Sequence, residues 1–160
     1  MTAARRLTLL SFLALPKIVI RQYDLLRMKN KDYNYYGVFL LKSEKERLKN
    51  MFWDILSMPY LEGWKMYSDH CTLLHHTNQD QSSRKYLDMV IGHPIKFNVI
   101  GFGVSEYCLA AMVDLPSQNE ISHITLAVAP GHKPVESNDI EDWIVFSNKK
   151  LPFMGILSRK

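Results

Sequence analysis

Only two cysteines occur in this 160-residue chain, Cys71 and Cys108, and no C-x-x-C accompanies them. Neither a disulfide scaffold nor a structural zinc site is expected, and so low a count fits a reducing compartment. Long apolar runs are missing too. The run from Leu7 to Leu15 is about nine residues, against the roughly 20 that a membrane-spanning helix needs, so no stable span is expected. No Gly/Ser-rich or Pro-rich linker divides the chain and no repeat of solenoid period is visible, which leaves a single main domain over residues 31–160. Acidic residues are absent from Met1 to Tyr23, where Arg5, Arg6, Lys17 and Arg21 stand around the apolar run, and Arg27, Lys29 and Lys31 prolong the basic stretch. Residues 1–30 therefore read as a basic and apolar extension, either a targeting segment or an ordinary element docking on the core. Pro16 and Lys17 follow the run where a secretory cleavage site would need small residues. A cytoplasmic or nuclear location is favoured, and the acid-free, Arg-rich start leaves a mitochondrial one open.

What is present is the composition of a globular protein, 47% hydrophobic and 22% charged, long enough to bury a core. The formal charge of +4 and the isoelectric point near 9.0 lean toward a polyanionic partner, although a merely solvated basic face accounts for them as well. Tyr35 to Leu41 reads as a buried strand. Ser43 and Glu46 have the spacing of a capping box, opening a helix whose apolar positions Leu48, Met51, Phe52, Ile55 and Leu56 run to Pro59. Trp64 to Tyr67 and His70 to Leu74 read as one strand interrupted at Ser68-Asp69, and residues 76–84 as a polar loop. Further strands are expected over Ile95 to Val104, bent at its glycines, over Cys108 to Leu115, and over His123 to Ala129. A loop from Gly131 to Asn138, a helical turn from Asp139 to Trp143 and an apolar edge strand near Leu151 to Leu157 complete the reading. The fold class is α/β (α+β), with largely antiparallel sheet and few helices.

Three histidines are followed two positions later by threonine: His70, His75 and His123. With 17 serines and threonines among 160 residues, a single match arises by chance about once in nine histidines. Two of the three are extended alike, to HCTL at 70–73 and HITL at 123–126, inside expected strands, whereas His75 leads into the polar loop. Alternate residues of a strand share a face, so His70 with Thr72, and His123 with Thr125, would each present an imidazole and a hydroxyl to one ligand, while Cys71, Leu73, Ile124, Leu126 and Val128 turn to the core. Opening a phosphodiester requires one group to accept a proton from water and another to donate one to the leaving alkoxide. Histidine serves either role near neutral pH, each worth roughly 10² to 10⁴ in rate, and threonine hydroxyls hydrogen-bond the non-bridging oxygens. This scheme needs no metal or other cofactor, and the sequence does not divide the roles between His70 and His123.

Other residues are weaker candidates. His76 would share the face of His70 if the strand continued, but fits a solvated loop. His132 and Lys133 follow the second motif strand and read as surface loop or as ribose and phosphate contacts. Tyr36, with Tyr33 and Tyr35, is offered for base stacking against core packing. Ser137 and Asn138 read as caps of the following turn or as ligand contacts, with capping favoured. A metal held by His70, His75 and His76 is disfavoured, because alternation sends His70 and His75 to opposite faces.

With both copies of H-x-T-hydrophobic in place, the chain resembles the 2H phosphoesterase superfamily. Within it, YYGVFLLKSEKERL, DHCTLLHH and HITLAVAPGHKPVESNDI look most like the cyclic phosphodiesterase domain of fungal tRNA ligases and related RNA-repair proteins, over roughly residues 33–145. The resemblance implies a two-lobed, pseudo-symmetric fold with its cleft between the lobes. It also implies metal-independent hydrolysis of a 2′,3′-cyclic phosphate at an RNA end, in that subgroup to the 2′-phosphate. The chain carries no ligase or kinase segment that would tie it to tRNA splicing. A small cyclic nucleotide as substrate and a non-catalytic RNA-end binding module of the same fold remain alternatives.

Overall fold

The computed structural model describes residues 34–77 and 80–160. The expected extension over 1–30 and Tyr33 lie outside the described residues. Strand β1 (Tyr35–Leu40) leads into helix α1 (Lys42–Met51), a short helix α2 (Trp53–Leu56) and a 3-10 turn (Pro59–Leu61). Then follow β2 (Lys65–Met66), β3 (His70–His75), helix α3 (Gln81–Val90), β4 (Pro94–Val104), β5 (Cys108–Val113) and β6 (His123–Val128). A second 3-10 turn (Pro134–Asp139), β7 (Asp142–Val145) and β8 (Leu151–Arg159) complete the order. No helix among the described residues is long and apolar enough to cross a membrane.

All strand pairings are antiparallel, and six strands close into a barrel in the order β6, β3, β1, β8, β4, β5 and back to β6. Two short strands hang from it, β2 on β6 and β7 on β4. The mixed, sheet-rich class is as expected. The strands form one continuous ring, however, and β8, expected at an edge, lies inside it between β1 and β4. The main core gathers Val38 and Leu40 of β1, Leu48, Phe52 and Leu56 of the helices, Cys71 and Leu74 of β3, and Ile124 and Leu126 of β6. Burying such side chains contributes roughly 1.5 to 3 kcal/mol each.

Three local expectations fail. Ser43 and Glu46 form no capping box: the helix starts two residues earlier, with Leu41 in place of Ser43 as its N-cap and no side-chain cap. Glu44 instead binds α1 to β8, accepting from the Met154 amide at 3.1 Å. Residues 81–84 are not loop but the first turn of α3. Asp80 caps that helix by accepting from the amides of Ser82 and Ser83, both at 3.1 Å, and the bonds from the two serine hydroxyls, followed by those amides, hold its carboxyl down to about 2. The turn expected over Asp139 to Trp143 forms earlier, at Pro134–Asp139, and Trp143 belongs to β7.

The motif strands carry one irregularity each, at the same place. Against β1 the register steps from Gly37 opposite Thr72 to Tyr36 opposite Leu74, leaving Leu73 as the extra residue of a bulge. Against β5 it steps from Ala110 opposite Thr125 to Leu109 opposite Ala127, leaving Leu126 extra. The leucine common to HCTL and HITL is thus the bulged residue in both. Beyond it the alternation reverses: Leu73 and Leu74 are both buried, as are Leu126 and Ala127.

Candidate active site

Strands β3 and β6 lie side by side and join through one residue pair, Cys71 with Ile124. These are the middle residues of the two motifs, so an antiparallel run sets His70 alongside Thr125 and Thr72 alongside His123. All four line a cavity of about 430 Å³, together with Tyr35, Asp69, His75, Asn119 and Ser137 among others. The structure brings the four motif residues together on this one cavity.

His70 lies over β1 between two aromatic rings, stacked on Tyr35 and on Phe39 with ring centroids 4.9 Å away in each case. Gly37, between those two rings on the same face, makes the space. A Cβ there would stand 3.0 Å from the Cys71 carbonyl oxygen and 3.4 Å from the His70 ring. Among the described residues the His70 Nδ1 is buried without a hydrogen-bond partner. Burial drives the imidazole down to about 4; neighbouring Asp69 opposes this, while Lys160, Lys45 and His123 add to it. Asp69 is itself held below the usual carboxylate range, first by its hydrogen bond from Lys45.

His123 is 8% exposed and both its ring nitrogens have partners. Nδ1 lies 2.8 Å from the Ile121 carbonyl oxygen, which can only accept, so Nδ1 carries a proton. Nε2 lies 2.9 Å from Ser137 Oγ. Burial lowers this imidazole as well, and the Ile121 carbonyl pulls it back; His70 carries the larger shift. Ser137, 1% exposed, also lies 2.8 Å from Thr125 Oγ1 and 2.6 Å from the Pro134 carbonyl oxygen. Its one proton has three acceptors in reach: His123 Nε2, Thr125 Oγ1 and the Pro134 carbonyl. When that proton goes to Pro134, Nε2 must donate and His123 is an imidazolium; when His123 is neutral, the hydroxyl turns to Nε2. The direction of the Ser137 hydroxyl therefore follows the charge on His123.

Of the weaker candidates, Tyr35, Ser137 and Asn138 line this cavity, and Tyr36, His76, His132 and Lys133 do not. Tyr36 is 0% exposed and donates from its hydroxyl to Asp88 at 2.7 Å; strand alternation places Tyr35, not Tyr36, at the site. His76 turns back to the Asn34 carbonyl, 3.0 Å away. His132 stacks on Tyr107 at 3.8 Å and pairs with Glu136 at 3.0 Å, and the Lys133 amide donates to the same carboxylate. His75 is the reverse case. The bulge at Leu73 returns it to the face of His70 and Thr72, correcting the alternation argument that separated it from them. Among the described residues no three His, Cys, Asp or Glu side chains gather as metal ligands.

Two further groups stand at the site. Ser137, where the sequence favours capping over ligand contact, sits inside the site against His123 and Thr125. Gln118 and Asn119 arrive because their loop completes the bulge. Ser117 Oγ donates to the Thr72 carbonyl and the Gln118 amide to the Leu73 carbonyl, both at 2.9 Å, while the Gln118 side chain accepts from the His75 amide at 2.8 Å. The backbone groups freed by a bulge were the signal.

No protein-family model matches the chain, and no curated protein does. Among solved structures, the chain is similar to the crystal structure of a fungal RNA kinase, with a TM-score of 0.55 and 19% identity. The match covers 80% of this chain and 45% of that one, and it shows a shared fold.

Proposed function

We propose that the chain is a metal-independent cyclic phosphodiesterase that opens a 2′,3′-cyclic phosphate at an RNA end to a phosphomonoester, the 2′-phosphate, and that its barrel is a variant of the two-lobed 2H fold. The observation that carries this reading is the duplicated H-x-T-L on adjacent antiparallel strands, with both bulges at the shared leucine and all four polar side chains on one cavity. A neighbour in fold that is named for acting on RNA supports an RNA end as the substrate.

The surroundings of the two histidines divide the roles. A base is most useful when already neutral, and His70, at about 4, is neutral over nearly the whole working range. An acid needs acceptors around its charged form, and His123 has them: the Ile121 carbonyl at Nδ1 and the Ser137 oxygen at Nε2. In the forward step His70 takes a proton from water as its oxygen bonds to phosphorus. His123 gives the Nε2 proton to O3′ as the P–O3′ bond breaks. Thr72 and Thr125 hydrogen-bond the non-bridging oxygens, whose charge strengthens both donors. With the base at about 4 and the acid lowered from its ordinary 6.5, kcat/KM is expected to peak on the acid side of neutrality.

The deciding experiment incubates the protein in EDTA with a dinucleotide ending in a 2′,3′-cyclic phosphate and follows the product by phosphorus NMR. Wild type is expected to give the 2′-monoester, and His70→Ala and His123→Ala, folded by circular dichroism, to lose turnover. Full activity in either variant overturns the assignment. Salt-sensitive RNA binding without turnover in wild type would establish the binding module in its place.

A further inference from the structure

Behind His123 lies a second cavity, of about 230 Å³, that shares Asn119, His123, Ser137 and Asn138 with the first and adds Glu120 and Trp143. Trp143 is fixed there by two features. It pairs across β7 and β4 with Gly103, where a Cβ would stand 2.5 Å from Cε3 and 2.6 Å from Cδ2 of the indole, so only glycine lets the ring lie flat on the strand. Its N–H donates to the Ile140 carbonyl at 2.7 Å, which uses the one polar group the ring has. What remains for a ligand is an aromatic face, already oriented, with its centroid 5.8 Å from that of His123. The fixed charge on the cavity is the exposed carboxylate of Glu120, which repels a phosphate and accepts from an amino group, as the side-chain carbonyls of Asn119 and Asn138 also do.

From this platform we infer that Trp143 stacks the base of the nucleotide preceding the cyclic-phosphate nucleotide, so that the substrate is an oligonucleotide end and not a free mononucleotide. The inference rests on the function proposed above for its substrate, but not for its test. A planar base on a preset indole face binds with little ordering cost, and stacking of this kind tolerates any base.

Two measurements decide it. Tryptophan fluorescence is titrated with a dinucleotide 2′-phosphate and with a nucleoside 2′-phosphate. Quenching is expected with the dinucleotide, and Trp143→Phe is expected to remove most of it, leaving the background from Trp53 and Trp64. In turnover, the preference for a dinucleotide over a mononucleotide cyclic phosphate is expected to fall roughly tenfold in Trp143→Ala. Gly103→Ala, which displaces the ring without removing it, is expected to lower the same ratio. An unchanged ratio, or dinucleotide quenching that survives in Trp143→Phe, overturns the subsite. Quenching by the dinucleotide in a protein that turns over neither substrate would remove the proposed reaction and keep the subsite.

Discussion

His70 lies between the rings of Tyr35 and Phe39 with its Nδ1 unpaired among the described residues, whereas His123 has a partner at each ring nitrogen, on a strand with the same motif and the same bulge. The threonines differ in the same sense. Thr125 shares a hydrogen bond with Ser137, while Thr72 faces the cavity and, among the described residues, no protein group bonds its hydroxyl. A common backbone has been given two electrostatic settings: burial lowers both imidazoles, but around His123 the Ile121 carbonyl offsets part of that cost, whereas His70 is pushed down to about 4. Two carboxylates or two histidines become an acid and a base by this kind of separation.

The largest expected effect breaks that comparison at the leaving group. His123→Ala should cost roughly 10² to 10⁴ in rate on a cyclic phosphate, and recover most of it on a nitrophenyl phosphodiester, whose leaving group needs no proton; His70→Ala should stay slow on both. Equal recovery in the two variants would erase the division of roles.

Next in size is stability against pH. Free in the unfolded chain, the His70 imidazole titrates near 6.5, and in the folded chain at about 4. Between those values the unfolded state binds more protons, so stability rises with pH across this window and is lost as pH falls through it, by up to roughly 3 kcal/mol. Urea midpoints at several pH values should show this slope in wild type and flatten in His70→Gln. An undiminished slope would place the effect elsewhere; His123, which burial also lowers, leaves a smaller one.

Ser137→Ala should be milder, about tenfold in kcat, because the reacting groups remain. Removing the oxygen that accepts from Nε2 disfavours the imidazolium, so the alkaline limb of the pH profile, which follows loss of the acid's proton, should move lower and nitrogen-15 spectra of the imidazole should show His123 titrating lower. An unmoved titration would reduce Ser137 to packing. The smallest effect concerns the motif centres. Cys71 stands where Ile124 stands in the other strand, and burial pushes its thiol up to about 12. It should alkylate with iodoacetamide only after unfolding, and Cys71→Val should shift Tm by only a few degrees.

Alternation made the four central residues readable, because H-x-T in a strand puts both side chains on one face whatever surrounds it. The same rule misplaced His75, since one extra residue at Leu73 reverses every later position and no turn residue marks it. Helix α3 was hidden by its polar first turn, although Asp80 followed by Ser82 and Ser83 carries a cap signal; only Tyr86, Leu87 and Val90 give it an apolar side. At Ser137 the sequence favours capping over ligand contact, because its place depends on the barrel bringing the turn at Pro134–Asp139 against β6.

The place of β8 in the ring bears on how the protein is made. Phe39 pairs with Ile156 and Phe97 with Phe153, so the barrel closes only when residues 151–159 reach strands synthesised much earlier. Loop-closure entropy is spent before those pairings return anything, which makes refolding slow for a chain of this length. Until then β1 and β4 present open edges, and the nascent chain passes through a stage in which the histidine strands exist but the wall that holds them does not.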